Sequence, residues 1–405
     1  MSRLLYAAAE PFFYHWPYLS REWDLFFLLR TLADRPDLAA HVSYLDLGPI
    51  NKLPLISQAS SGTIGPKLRA VLEALQQSSH DIPQPQNSAA LIRSALQLIP
   101  NLRRLHLRLL DNVSAEPLLW MSASSSSVSS ASLKTLAFSG LGHGNLLDQV
   151  APIIQRAPNL EILYCYYYTR VTEIFDAALN RGSLAEPPPM QNLTELALVD
   201  TFITASSFRN LLTAIGPKLS KVHVRRTARQ PDDPFDPIHI LEFDEALAAL
   251  QPWRLTLEEL SFVAISGRAL PQPGHRLRAI HILPEFSALK ALRAQAGYFD
   301  FYGRVGPGKD TLRTTLPASV RELRLLGYSQ LAQGLQGFVE AVTAGQFVHL
   351  CLIEIDDQGF DQEPAREQEL LDVGASFRSA GVAFTVRPID HFGPDTLEEL
   401  EFEDM

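Results

Sequence analysis

Cysteine is scarce in this chain: Cys165 and Cys351 are the only two among 405 residues. A disulfide framework is thereby excluded, and a reducing compartment is the expected setting. Net positive charge is also missing, since 35 Lys and Arg stand against 45 Asp and Glu, a formal −10. A general nucleic-acid binder shows a basic stripe, so no nucleic acid is expected as a partner. Long apolar runs are absent. The short apolar run in residues 1–9 is interrupted by Glu10, Pro11 and His15, which makes it too broken for a signal peptide. Nothing later approaches the roughly 20 residues of a membrane span. The expectation is a cytoplasmic or nuclear protein with no membrane contact.

Catalytic motifs are missing as well. The sequence has no Gly-x-Ser-x-Gly, no His-Glu-x-x-His, no Cys-x-x-Cys and no Rossmann glycine pattern. Gly303, Gly308 and Lys309 match the spacing of a phosphate loop, but Asp310 replaces the hydroxyl that would hold Mg²⁺. Pro317 also interrupts the helix that should receive the phosphate. His143 with Asp148 lacks a nucleophile in any identifiable motif and reads as a loop histidine. No cofactor, no metal and no enzyme activity are expected. The one enzymatic alternative uses a pocket under the insert at 297–310.

What the chain does have is a repeat. Leu102, Leu105 and Leu107 spell Leu-x-x-Leu-x-Leu, and the phrase returns with apolar substitutes eight times. It begins again at Leu133, Leu160, Leu193, Leu219, Leu257, Leu289, Val320 and Leu350. From Leu102 to Leu350 is 248 residues over eight intervals, a mean of 31, with single intervals from 26 to 38. Such recurrence marks a solenoid whose repeats each supply one strand to a parallel sheet. The last two apolar residues of the phrase alternate with a variable one, the period of a half-buried strand. Between phrases, stretches such as 88–99, 146–154 and 207–215 carry helical spacing, and Pro100, Pro158 and Pro217 close them. The predicted fold is α/β: a right-handed, irregular leucine-rich-repeat solenoid, strands on its concave face and helices on its convex face. About ten or eleven strands are expected. Common leucine-rich repeats place Asn or Cys three positions after the last Leu, whereas here those places hold Leu110, Leu141, Tyr168 and Thr201. The turns must be closed in another way.

Residues two, four and six places after the first Leu should face the concave side. They include Arg104, His106 and Arg108, then Ile162, Tyr164 and Tyr166, then Val199, and then His223 and Arg225. An apolar and aromatic stretch thus lies between two cationic ones, which is the composition of a partner-binding surface. Tyr164 and Tyr166 would be the anchors, with Arg104, His106, His223 and Arg225 as a charged rim. The alternative is that a loop such as 181–190 folds over this stretch and buries it.

Residues 1–40 are helical in pattern and hold Phe12, Phe13, Trp16, Trp23 and Phe27, too many large apolars for an exposed segment. They are expected to cap a solenoid over 41–388, beginning with a strand at 42–47 and followed by an acidic tail at 389–405. Inserts at 122–132, 181–190, 230–237 and 297–310 read as surface loops.

Several of these segments carry a family resemblance. Residues 2–14 (Ser-Arg-Leu-Leu-Tyr-Ala-Ala-Ala-Glu-Pro-Phe-Phe-Tyr) and 28–39 resemble the segment after the F-box in filamentous-fungal F-box/leucine-rich-repeat proteins. Residues 316–325 and the Phe-x-x-Ala-Gly-Val-x-Phe pattern at 377–384 are similar to the same group. The resemblance implies a substrate-recognition part of an SCF-type ubiquitin ligase, or its remnant. An F-box helix would precede the repeats and dock a Skp-type adaptor. This chain starts where that module would be ending, so the adaptor is expected as a partner only if an F-box lies upstream. The remaining expectations are a protein or peptide ligand on the concave face and a monomeric state. A repeat scaffold with no ligase link is the rival reading.

Overall fold

The computed structural model describes residues 14–17, 19, 22–47, 96–109, 131–140, 151–166, 170–171, 189–227, 241–265, 280–299, 311–327, 331–357 and 364–388. The chain is α/β with a solenoid-like repeat fold, and eleven strands run parallel in chain order. It divides into two compact units, residues 1–219 with 237–241 and residues 220–236 with 242–405.

The first unit holds five of the parallel strands: β1 (Tyr44–Leu47), β2 (Arg104–Leu109), β3 (Thr135–Gly140), β4 (Ile162–Tyr166) and β6 (Glu195–Val199). Neighbours pair in register, so Leu45, Leu105, Leu136, Leu163 and Leu196 form one row across the sheet. A short side pair, β5 (Arg170–Val171) with β7 (Phe202–Ile203), lies outside that sheet. A helix of this unit, Ala205–Thr213, is capped by Thr204, whose hydroxyl accepts from the Ser207 amide at 3.1 Å. Phe208, Leu211 and Leu212 form its buried side.

The second unit holds β8 (Lys221–Thr227), β9 (Glu259–Ile265), β10 (Ala291–Gln295), β11 (Glu322–Gly327), β12 (Leu352–Asp357) and β13 (Ala383–Pro388). All described pairings are parallel and follow chain order. Behind them, Phe243 stacks on Tyr298 with centroids 4.9 Å apart and lies 5.3 Å from Phe262. The helices Leu331–Thr343 and Pro364–Ser379 bring Phe338 to 5.8 Å from Phe377.

The recurring phrase explains the core. All three apolar positions of all nine repeats are buried, none more than 6% exposed. Removing such side chains from water contributes about 1.5–3 kcal/mol each, and burial of one strand face fixes the register of every strand.

The turns, which lack the expected Asn, are closed by a residue just before the first Leu of the phrase. Asn101 donates to the Ala40 carbonyl at 2.8 Å, Asn159 to Ala131 at 2.7 Å and Asn192 to Pro158 at 2.9 Å. Ser132 does the same to Pro100 at 2.8 Å. Each side chain thus ties its repeat to the one before, a ladder displaced along the repeat from its usual place. The backbone repeats the device. The amides of Lys134 and Thr135 both donate to the Arg103 carbonyl, those of Glu161 and Ile162 to Lys134, and those of Thr194 and Glu195 to Glu161.

The expected capping segment is partly described. Leu28, Leu29 and Leu32 of the helix Glu22–Asp34 are buried, while Trp16 is 44% and Phe27 50% exposed. Trp16 meets Tyr44 of β1 edge to face, 4.8 Å between centroids. Among the described side chains, Leu28, Leu29 and Leu32 are the buried ones of this helix. Phe12, Phe13 and the Trp23 side chain lie outside the described residues. So do 88–95, 122–130, 146–150, 181–188, 230–237, 300–310 and 389–405 from the segments named above. The strand expected at 42–47 is β1.

The pattern at 377–384 has a physical reason. The helix Pro364–Ser379 ends with the Val382 amide on the Phe377 carbonyl and the Gly381 amide on Arg378, both at 3.0 Å. Gly381 has φ +84°, the left-handed geometry this helix end requires. The chain then folds back so that Phe384 stacks on Phe377, centroids 5.6 Å apart and planes 7° from parallel. Gly374 leaves room for that stack, because a Cβ there would sit 2.4 Å from the Phe384 ring. Gly374→Ala is expected to destabilise the second unit by about 1–3 kcal/mol, the usual cost of overpacking. Urea unfolding of the purified chain measures it, and an unchanged midpoint would mean that the ring is not packed there.

Candidate functional site

In each repeat, residues two, four and six places after the first Leu share the face opposite the buried triplets, as the register shows. In the first unit the rows across this face are Tyr44, Arg104, Thr135, Ile162, Glu195; then Asp46, His106, Ala137, Tyr164, Ala197; then Arg108, Ser139, Tyr166, Val199. Adjacent strands lie about 4.8 Å apart, so side chains in one row are in reach of one another.

Tyr164 and Tyr166 stand two residues apart on β4, their ring centroids 5.8 Å apart and tilted by 35°. The Tyr164 hydroxyl donates to Glu195 Oε1 on β6 at 2.8 Å. That bond holds the ring of a half-buried side chain in one place. Tyr166, Ala197 and Val199 are buried, whereas Ile162 remains half-exposed. Of the two expected anchors, then, Tyr164 is half-exposed and Tyr166 is enclosed, and of their expected neighbours Ile162 is half-exposed and Val199 enclosed.

His106 is placed differently from a rim residue. It is 9% exposed, with Nδ1 3.4 Å from Asp46 Oδ2 on β1 and Nε2 3.4 Å from Ser139 Oγ on β3. Its ring lies 6.5 Å from that of Tyr166. Arg104 is exposed. The Arg108 side chain lies outside the described residues, as do His143, Asp148 and the glycines of 303–308.

Asp46, His106 and Ser139 stand in the order orienter, base, nucleophile that acyl-transfer enzymes use, and such sets are recognised by geometry, not sequence spacing. Ser139 is 5% and His106 9% exposed, and the 3.4 Å contacts join them to each other and to Asp46 within the sheet face, where an unpaired polar group would cost about 1–3 kcal/mol. Sequence reasoning missed this chain because Asp46 precedes the first full repeat. Aligning Leu45 and Leu47 with Leu105 and Leu107 would have placed Asp46 beside His106.

The remaining expected residues, His223 and Arg225, belong to the second unit. His223 Nε2 is 3.9 Å and Lys221 Nζ 3.7 Å from Glu259 on the next strand. Further along, Arg293 Nη2 lies 3.7 Å from Asp356 Oδ2, and Glu354 accepts from both Arg324 and Arg387. Burial pushes the Asp356 carboxyl up, against the pull of Arg293. Burial likewise holds Arg293 below its ordinary value, and Arg324 beside it adds to the effect. For this pair desolvation outweighs mutual attraction, as expected for ions withdrawn from water.

Among the described residues, no cluster of His, Cys, Asp and Glu could hold a metal ion, and no helix is long and apolar enough to cross a membrane. Cys165 and Cys351 are free thiols, and burial pushes that of Cys165 far up, which makes it inert at neutral pH. No protein-family model matches the chain, and no curated protein is significantly similar to it.

A fluorophosphonate, which phosphorylates an activated serine as fluoride leaves, is expected not to label Ser139 in the folded chain. Mass spectrometry of the treated protein reads this directly, and a Ser139 adduct lost in His106→Gln would establish a working triad.

Proposed function

We propose that this chain is a non-enzymatic binding protein, whose outward strand face in the first unit holds a peptide or protein segment at Tyr164. One observation carries the reading: the Tyr164 ring is half-buried yet accessible, and its hydroxyl is already fixed on Glu195. A rigid aromatic with one polar end is the commonest anchor of a protein interface, because little conformational freedom remains to be lost on binding. Ile162 beside it adds apolar surface, and Arg104 in the adjoining row supplies exposed positive charge.

The resemblance of 2–14, 28–39, 316–325 and 377–384 to fungal F-box/leucine-rich-repeat proteins gives this face a role. The bound segment would be the substrate of an SCF-type ubiquitin ligase, and the Skp-type adaptor would be met by an F-box upstream of the repeats. The rival is an adaptor scaffold bridging two proteins. The free thiols favour a reducing compartment, cytoplasm or nucleus, and the chain is taken to work as a monomer.

Tyr164→Ala should weaken partner capture about thirtyfold, since truncating a buried aromatic anchor costs about 2 kcal/mol and 1.4 kcal/mol is tenfold. Arg104→Ala should do less, and its effect should fade as salt rises. Quantitative pull-downs with both folded variants make the comparison. Retention of every partner at wild-type affinity by Tyr164→Ala would move the binding surface elsewhere.

A further inference from the structure

The second unit carries an arrangement of charge that the aromatic anchor of the first does not use. Glu354 has a side chain only 6% exposed, yet two guanidiniums converge on it, Arg324 from β11 and Arg387 from β13, the latter at 2.9 Å. Beside it on the same strand, Asp356 holds Arg293 from β10. Three arginines thus meet two carboxylates, an excess of one positive charge.

The depth of these groups is ordered. The carboxylates lie deepest, while the Arg324 and Arg387 side chains are 40% and 61% exposed. A buried ion cluster of this kind is a poor device for stability, because packed apolar residues serve the fold at least as well. Its physical effect is to hold guanidinium planes in fixed places. Each guanidinium carries five donors in a rigid fork, and a carboxylate behind it uses at most two. The outer part of the Arg324 and Arg387 forks is therefore presented ready to take another anion.

Among the described residues, the other charges on this face are Lys221 and Arg225 on β8, Glu259 on β9 and Glu322 on β11. They cancel, so the local excess of one positive charge persists on a chain whose formal total is −10. We propose that Arg324 and Arg387, backed by Arg293, form a docking site for the acidic side chains of a peptide segment. Charge complementarity selects an acidic occupant. A nucleic acid is disfavoured because its long run of phosphates meets the net negative charge of the whole chain and the flanking Glu259 and Glu322. Arg293 and Arg324 lie on adjacent strands about 4.8 Å apart, and β12 separates β11 from β13, so Arg387 comes from a strand about 9.6 Å from that of Arg324. An extended peptide crossing the strands covers that distance in about three residues, so acids along it can reach both guanidiniums. Crowding of Arg293 by Arg324 and Arg225 is what an incoming carboxylate would relieve.

The site is tested with the full chain and a short fluorescent peptide of alternating Glu and Ser, read by anisotropy at low ionic strength. The peptide should bind, lose affinity as salt rises, and be matched by no binding of the Gln–Ser analogue. Arg387→Gln leaves Glu354 paired with Arg324, and should weaken binding about tenfold, the loss of one charge-assisted contact. Arg387→Lys keeps the charge but loses the fork, and should weaken it severalfold. Tyr164→Ala should leave this binding unchanged, so failure here is distinct from failure of the aromatic anchor. The proposal is overturned if the folded chain does not bind the Glu–Ser peptide, or binds it equally well in both Arg387 variants. It is also overturned if a single-stranded oligonucleotide of equal charge binds as tightly.

Discussion

Everything on the outward face depends on the period-two alternation of the parallel strands, which the buried triplets hold in register. Leu105, Leu136, Leu163 and Leu196 lie in one row because any slip by a single residue would expose the whole row to water. The same constraint aims His106 at Asp46, Tyr164 towards Glu195, and Arg324 at Glu354. Geometry at the face is thus inherited from packing behind it. The side-chain ladder of Asn101, Ser132, Asn159 and Asn192 performs at the turns what the triplets perform in the strands.

The two units use that frame for different chemistry. In the first, His106 and Ser139 are enclosed, and Tyr164 and Ile162 are half-exposed in the neighbourhood of an exposed Arg104. In the second, the carboxylates are withdrawn and the guanidiniums are left outermost. Desolvation, not pair attraction, dominates the ionisation of Arg293 and Asp356. A face built for stability alone gains little from burying ions in this way, which supports the recognition role proposed for the face of the second unit.

Most of the architecture was legible in the sequence, for a physical reason. Inward positions must be apolar in every repeat, so the pattern survives even where Phe138, Cys165 or Ala294 replaces Leu. The nine repeat strands and their order followed from that alone, whereas the β5–β7 pair did not. The turn ladder was not legible, since Asn101 and Asn192 sit ahead of the phrase and not behind it. The outward face was legible in composition but not in depth. Nothing in a list of alternating residues says that Tyr166 and Val199 are enclosed while Tyr164 is open. The Asp46–His106–Ser139 chain and the Arg324–Glu354–Arg387 cluster depend on cross-strand neighbours, which appear only once register is known.

Hydrogen–deuterium exchange of the native chain tests the central claim most directly. The paired amides of Lys134 and Thr135, Glu161 and Ile162, and Thr194 and Glu195 each donate to one carbonyl of the preceding repeat. All six should be among the slowest to exchange, with protection close to the global stability of their unit. Exchange of any of these pairs at the rate of an unstructured peptide would contradict the register, and with it both proposed binding faces.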